Sequence, residues 1–202
     1  MKLFNTIFIL FIYSHAFCQQ QIVYSDKIFI YKVSIDSIPS IDSLNDVCKI
    51  KSISVFKKVN NKLIQTIVVP ENFIDCSIQN PLEIGDKNFD GINDLKLFKE
   101  ITTSRNLVHY YWFYSNKTNK FERNKELENL PTPSFNARDK VITTSYDKKD
   151  HIISCTYKFI NNKLILVEDE DLFSDAKNSA KTHIIRRKLI NGKMKTISHT
   201  ME

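Results

Sequence analysis

The sequence predicts an all-β protein, a single domain built from antiparallel hairpins. Three observations lead there. Beyond residue 18 the chain is rich in Ile, Val, Phe, Tyr and Thr, the types that suit a pleated, half-buried surface. Only three glycines occur in 202 residues, so turns fall to Asn, Asp and Lys. And one pattern recurs: an alternating apolar run, an Asn-rich turn, a lysine, then a second run.

Taken in order, the chain opens on MKLFNTIFILFIYSHAFCQQ, a lysine followed by a short apolar run. That run falls short of the roughly 20 apolar residues a spanning helix needs. With small residues near its end, it predicts a signal peptide over residues 1–18, cleaved near Cys18 to leave Gln19. Lipidation of Cys18 is the alternative, and Phe17 before it argues against that. The folded domain is expected over 19–202, periplasmic or extracellular, with no transmembrane segment in the mature chain. A strand is expected near 22–33, then a link over 34–46 (SIDSIPSIDSLND). Hairpins follow at 53–69, 109–124, 155–169 and 184–198, the last around Asn191-Gly192, a strong two-residue turn. Residues 124–135 allow one helical turn before Pro131 and Pro133 stop it, and 169–182 reads as a short helix or an exposed loop. The lysines that follow the turns, at 62, 120, 163 and 193, are unevenly spaced, which excludes a strict solenoid.

The formal net charge is +6, and +5 without the first 18 residues, whose only charge is Lys2. The lysines are scattered rather than striped, which argues against nucleic acid and suits acidic protein partners. Cys48, Cys76 and Cys155 remain after the leader. In an oxidising compartment one disulfide and one buried thiol are expected, with the pairing open and no zinc spacing among them.

Residues 85–98, GDKNFDGINDLKLF, gather oxygen donors around one glycine. Calcium takes six to eight hard oxygen ligands in such a turn. Asp86, Asn88 and Asp90 alternate, Gly91 permits the bend, Ile92 offers its carbonyl, and Asp94 binds directly or through water. An EF-hand would need Glu where Leu97 stands, so the expectation is a shorter calcium loop with a structural role. The alternative is a metal-free turn held by side-chain to backbone hydrogen bonds. The stretch HYYWFY (109–114) reads as a two-faced core strand, Tyr110, Trp112 and Tyr114 on one side and His109, Tyr111 and Phe113 on the other. The histidines 109, 151, 183 and 199 fall in no motif, and the acidic run 168–171 reads as a solvated strand end. No enzyme is expected.

DKNFDGINDLKL, then YYWFYSNKTNKFERNKEL, a proline-containing bend, and VITTSYDKKDHIISCTYKFINNKLILVED together resemble one group of secreted bacterial proteins. They are similar to the calcium-binding, β-propeller-like lysozyme-inhibitor and immunity proteins first recognised in xanthomonads, over roughly residues 80–170. Those act in the periplasm against a muramidase effector delivered by a type IV secretion system. The resemblance implies an irregular β-propeller-like meander, calcium at Asp86, Asn88, Asp90, Ile92 and Asp94, and inhibition of a lysozyme-like muramidase. Inhibitors of this kind project a loop into the lysozyme cleft, and the counterpart is TSYDKKD (144–150), which lacks a glycine in its bend. Muramidases cut with paired carboxyl groups in an acidic cleft, which Tyr146, Lys148 and Lys149 suit as partner-binding residues. The competing reading is a structural or adhesive calcium-binding surface module without inhibitory activity.

Overall fold

The computed structural model describes residues 19–38, 47–72, 74–76, 78, 80–102, 106–175, 178 and 180–202. The leader over 1–18 and the second part of the expected link, 39–46, lie outside them. The described chain forms three antiparallel sheets in which sequence neighbours are spatial neighbours, and no closed barrel.

The first sheet orders β1 (Gln19–Ser25), β2 (Phe29–Ile38), β3 (Val47–Lys57) and β4 (Lys62–Val68), with β5 (Ile74–Asp75) also on β3. The second orders β6 (Leu82–Gly85), β7 (Asp94–Ile101), β8 (Leu107–Ser115) and β9 (Lys120–Arg123). After a one-turn helix α1 (Lys125–Glu128), the third runs through β10 (Ser134–Asn136), β11 (Val141–Lys148), β12 (His151–Ile160), β13 (Lys163–Ser174), β14 (Thr182–Ile190) and β15 (Lys193–Met201).

All four expected hairpins form. Their turns carry Asn61, Asn119, Asn161, Asn162 and Asn191 at positive φ, a conformation asparagine tolerates better than most residues. Residues 22–33, expected as one strand, instead divide into β1 and β2. Asp26 makes the break: its Oδ1 accepts the main-chain N–H of Ile28 and of Phe29, both at 2.7 Å, and its Oδ2 accepts from Tyr31 Oη at 2.9 Å. Residues 34–38 continue β2 rather than beginning a link. The segment 169–182 is neither helix nor loop at its start, because β13 continues to Ser174. Its acids are held by the next strand: Arg186 Nε donates to Glu170 at 2.5 Å and Arg187 Nε to Asp169 at 2.6 Å.

The main core lies between the first two sheets. Phe29, Tyr31, Val33 and Ile35 alternate inward from β2. An extra residue in β3 at Lys51 shifts the register, so that Cys48 and Ile50 point the same way as Ile53 and Val55. Leu95, Leu97, Tyr110, Trp112 and Phe121 face them from the second sheet. Gln65 stitches the two sheets, donating to Phe121 O at 3.1 Å and accepting Phe121 N–H at 2.8 Å as a strand neighbour would. Strand β8 is two-faced as expected: Tyr111 and Phe113 serve a smaller cluster with Leu127, Ile142, Phe135, Tyr157 and Phe159, which seats the third sheet. Cys48 and Cys76 form a disulfide, and Cys155 is a buried free thiol.

Candidate functional site

The acidic loop spans 86–93, between β6 and β7. Asp86 accepts two main-chain N–H groups, Asp90 at 3.1 Å and Gly91 at 2.8 Å. Asn88 Oδ1 also accepts Asp90 N–H at 3.1 Å, and Asn88 Nδ2 donates to Asp90 Oδ2 at 2.9 Å. Asp90 Oδ1 accepts Ile92 N–H at 2.8 Å. The bend is closed by Gly91 at φ 91°, where a Cβ would be strained. Phe89 takes φ 65° and packs against the smaller cluster.

Asp94 stands apart from the other three. It is fully buried, with Oδ2 accepting Lys87 N–H at 2.9 Å and Asn88 N–H at 3.3 Å, and Oδ1 accepting Tyr114 N–H at 3.0 Å. This carboxylate ties the loop to β8. Burial pushes its pKa up to about 7 against the pull of the Lys87 and Tyr114 amides, and the Asp90 and Asp86 charges add to the rise. Among the described residues no group of three or more His, Cys, Asp or Glu side chains is placed to hold a metal ion. The donors of Asp86, Asn88 and Asp90, two carboxylates and an amide oxygen whose hydrogen bonds all fall within residues 86–92, have the hard-oxygen chemistry that fits calcium. Asp94, fully buried where the other three are not, fits as a support beneath that set.

The second expected site lies in the third sheet. Tyr146 and Lys148 are in β11, and Lys149, at φ 57°, closes the hairpin to β12 in place of a glycine. Lys148 and Lys149 are exposed, whereas Tyr146 is partly buried beside Cys155. All three line a trough of about 440 Å³ with His151, Asp169, Asp171 and Arg187. The register explains the trough. Thr144, Cys155, Asp169 and Arg187 form one cross-strand row on this face; Tyr146, Ile153, Asp171 and Ile185 form the next; Lys148, His151, Phe173 and His183 form the third. Within it Arg187 Nε donates to Asp169 at 2.6 Å, and His151 Nδ1 lies 2.6 Å from Asp171 Oδ1.

Three of the four described histidines, unmotivated as sequence, line up across the third sheet from this trough, whereas His109 lies in β8. His151 stacks on Phe173 at 4.6 Å between ring centres, Phe173 on His183 at 5.0 Å, and His183 meets His199 at 5.2 Å. A signal was available, since His183 and His199 lie eight residues either side of Asn191 in the best-marked turn.

The fold has a counterpart among solved structures. A Xanthomonas protein described as type IV secretion system related superposes with a TM-score of 0.66, covering 88% of this chain and 93% of that one at 15% identity. At that identity the likeness is one of fold. No family model and no curated protein matches the chain. The Cys48–Cys76 disulfide suits an oxidising, exported environment. Among the described residues no helix is long and apolar enough to cross a membrane.

Proposed function

We propose that this is an exported, calcium-stabilised binding protein that blocks a lysozyme-like muramidase or a related cell-wall hydrolase, as an inhibitor or immunity protein. Its role is to bind, without catalysis of its own. The observation that carries this reading is the β11–β12 hairpin, whose exposed Lys148 and Lys149 overhang a trough floored by Tyr146, on a fold shared with a secretion-system-related protein. A lysine pair at a hairpin tip is complementary to the acidic cleft in which such enzymes hold their two carboxyl groups. The Tyr146 ring, held in place by its neighbours, offers contact area with little entropy to lose.

Calcium would be held by Asp86, Asn88 and Asp90 with the Ile92 carbonyl, and Asp94 would support them from beneath. The ion would supply charge neutralisation and rigidity to the loop. A ligand that binds only the folded state adds about 2.7 kcal/mol at one hundred times its Kd. Calcium is therefore expected to raise Tm and chelator to reverse it, with Asp90→Ala abolishing the shift. A Tm indifferent to both would reduce the loop to a metal-free turn.

The functional test measures muramidase turnover on cell-wall substrate with the purified mature chain. Inhibition at micromolar concentration, lost in Lys148→Glu/Lys149→Glu while circular dichroism is unchanged, is the expected result. No complex with any wall hydrolase at such concentrations would refute the inhibitor reading. Retention on glycans or cell surfaces, with hydrolases unaffected, would favour the adhesive module instead.

A further inference from the structure

We propose that His183 and His199, together with Met201, form a binding site for a borderline or soft transition-metal ion, copper foremost, at the outer edge of the C-terminal sheet. The site is independent of the acidic loop. Strands β14 and β15 pair so that His183 faces Met201 and Ile185 faces His199. His183 and His199 are thus diagonal neighbours on one face, and Met201, two residues beyond His199, shares that face. Met201 stands directly opposite His183 in the ladder, and a thioether on so long and flexible a side chain can span the spacing of a cross-strand pair.

The two rings are aimed at each other. His183 Nδ1 and His199 Nε2 stand 3.0 Å apart. Two imidazole nitrogens on one ion, each at about 2.0–2.1 Å, are separated by about that distance when the angle at the metal is near 90–95°. The far side of His183 is fixed as metal-bound imidazoles usually are. Asp175 Oδ2 lies 2.9 Å from His183 Nε2, and Asp175 Oδ1 accepts Asn178 N–H at 2.8 Å. The carboxylate holds the proton on Nε2 and leaves the Nδ1 lone pair facing His199, the carboxylate–histidine–metal arrangement. Phe173 stacks on His183 with its ring plane tilted by only 12°, which restricts the imidazole further. Asp175 acts on the far nitrogen and is a positioning residue, which is consistent with no group of three His, Cys, Asp or Glu side chains converging here.

Donor chemistry selects the ion. Two nitrogens and a thioether offer nothing to calcium or magnesium, which need oxygen. Among divalent first-row ions the order of affinity peaks at copper, and the thioether favours its cuprous state as well. As the ion arrives, the proton between the two rings moves from His199 Nε2 to that ring's own Nδ1, so both imidazoles bind as neutral ligands through the nitrogens that face each other.

The experiment titrates Cu²⁺ into the full chain at pH 7 with saturating Ca²⁺ present, so that the acidic loop is occupied. Zn²⁺ and Ni²⁺ titrations run in parallel, and Cu(I) is followed by competition with a chromophoric chelator. The expected result is a single copper ion per chain, with paramagnetic resonance showing coupling to two nitrogens. His199→Ala and His183→Ala are each expected to weaken binding by about 100-fold or more, and Asp175→Asn by about 10–100-fold. Met201→Leu is expected to weaken Cu(I) and leave Cu(II) nearly unchanged. His199 is exposed, so its replacement removes nothing from the core, and circular dichroism confirms the fold. No copper bound by the unaltered chain, or His199→Ala binding as tightly as the unaltered chain, would overturn the site. Either result would leave a hydrogen-bonded Asp–His–His chain without a metal.

Discussion

Replacing Asp94 by alanine removes the acceptor for three main-chain N–H groups at once, those of Lys87, Asn88 and Tyr114. The side chain is fully buried, so water reaches these groups only if it enters the space left behind. A buried donor left without a partner costs about 1–3 kcal/mol. The Asn88 contact at 3.3 Å is the weakest of the three, and the carboxylate's own desolvation, visible in its pKa near 7, offsets part of the gain. The expected loss is about 3–5 kcal/mol, read as the drop in unfolding free energy from urea denaturation. Chelator belongs in every sample, so that loss of a bound ion cannot mimic loss of the hydrogen bonds. Asp94→Asn keeps the shape and one acceptor oxygen, and is expected to cost about 1–2 kcal/mol. If alanine costs no more than about 0.5 kcal/mol, the value typical of surface changes, the loop is not tied to β8 by this side chain.

Three further outcomes follow from the same structure. Burial, seconded by the Lys96 charge, lowers the pKa of His109 from 6.5 to about 4. The unfolded chain therefore takes up a proton that the folded one refuses, and stability falls as pH drops from about 6.5 to 4. After solvent screening the loss is about 1–2 kcal/mol, and His109→Phe should flatten the slope in urea melts at the two pH values. The Cys48–Cys76 bridge spans 28 residues, so a Cys48→Ser/Cys76→Ser chain is expected to lose about 3–4 kcal/mol by loop-closure entropy, checked by denaturation with the bridge intact and removed. Gln65→Ala leaves both main-chain groups of Phe121 unanswered at the seam between the first two sheets, for about 1–3 kcal/mol in the same assay. An unchanged midpoint in either case would count against the corresponding contact.

The hairpins were readable because each turn rests on asparagine at positive φ, a local property that a short window of sequence contains. The two faces of β8 were readable for a similar reason, since strict alternation of aromatics leaves no other arrangement. What was misread depends on partners far away in the chain. Asp26 breaks a strand with no glycine or proline to announce it, by capping amides two and three residues ahead. Residues 168–171 look like a solvated end until Arg186 and Arg187 arrive from β14 to pair with Glu170 and Asp169. The choice of Cys48 and Cys76 depends on β5 pairing with β3, which no spacing reveals. In the acidic loop the donors were legible, while the inward turn of Asp94 was not, because it answers to Tyr114 twenty residues on.

The uneven placement of the core divides the labour of the molecule. The first nine strands share one extensive apolar interior, and the last six are seated through a cluster with only Tyr111, Leu127 and Ile142 fully enclosed. Local opening should therefore begin at the C-terminal strands, whose amides are expected to exchange with solvent earlier than those of β2, β3 and β7. Substitutions on the outer rows of the last sheet disturb little packing, so that half tolerates changes of surface chemistry at a lower cost to the fold than the first two sheets do.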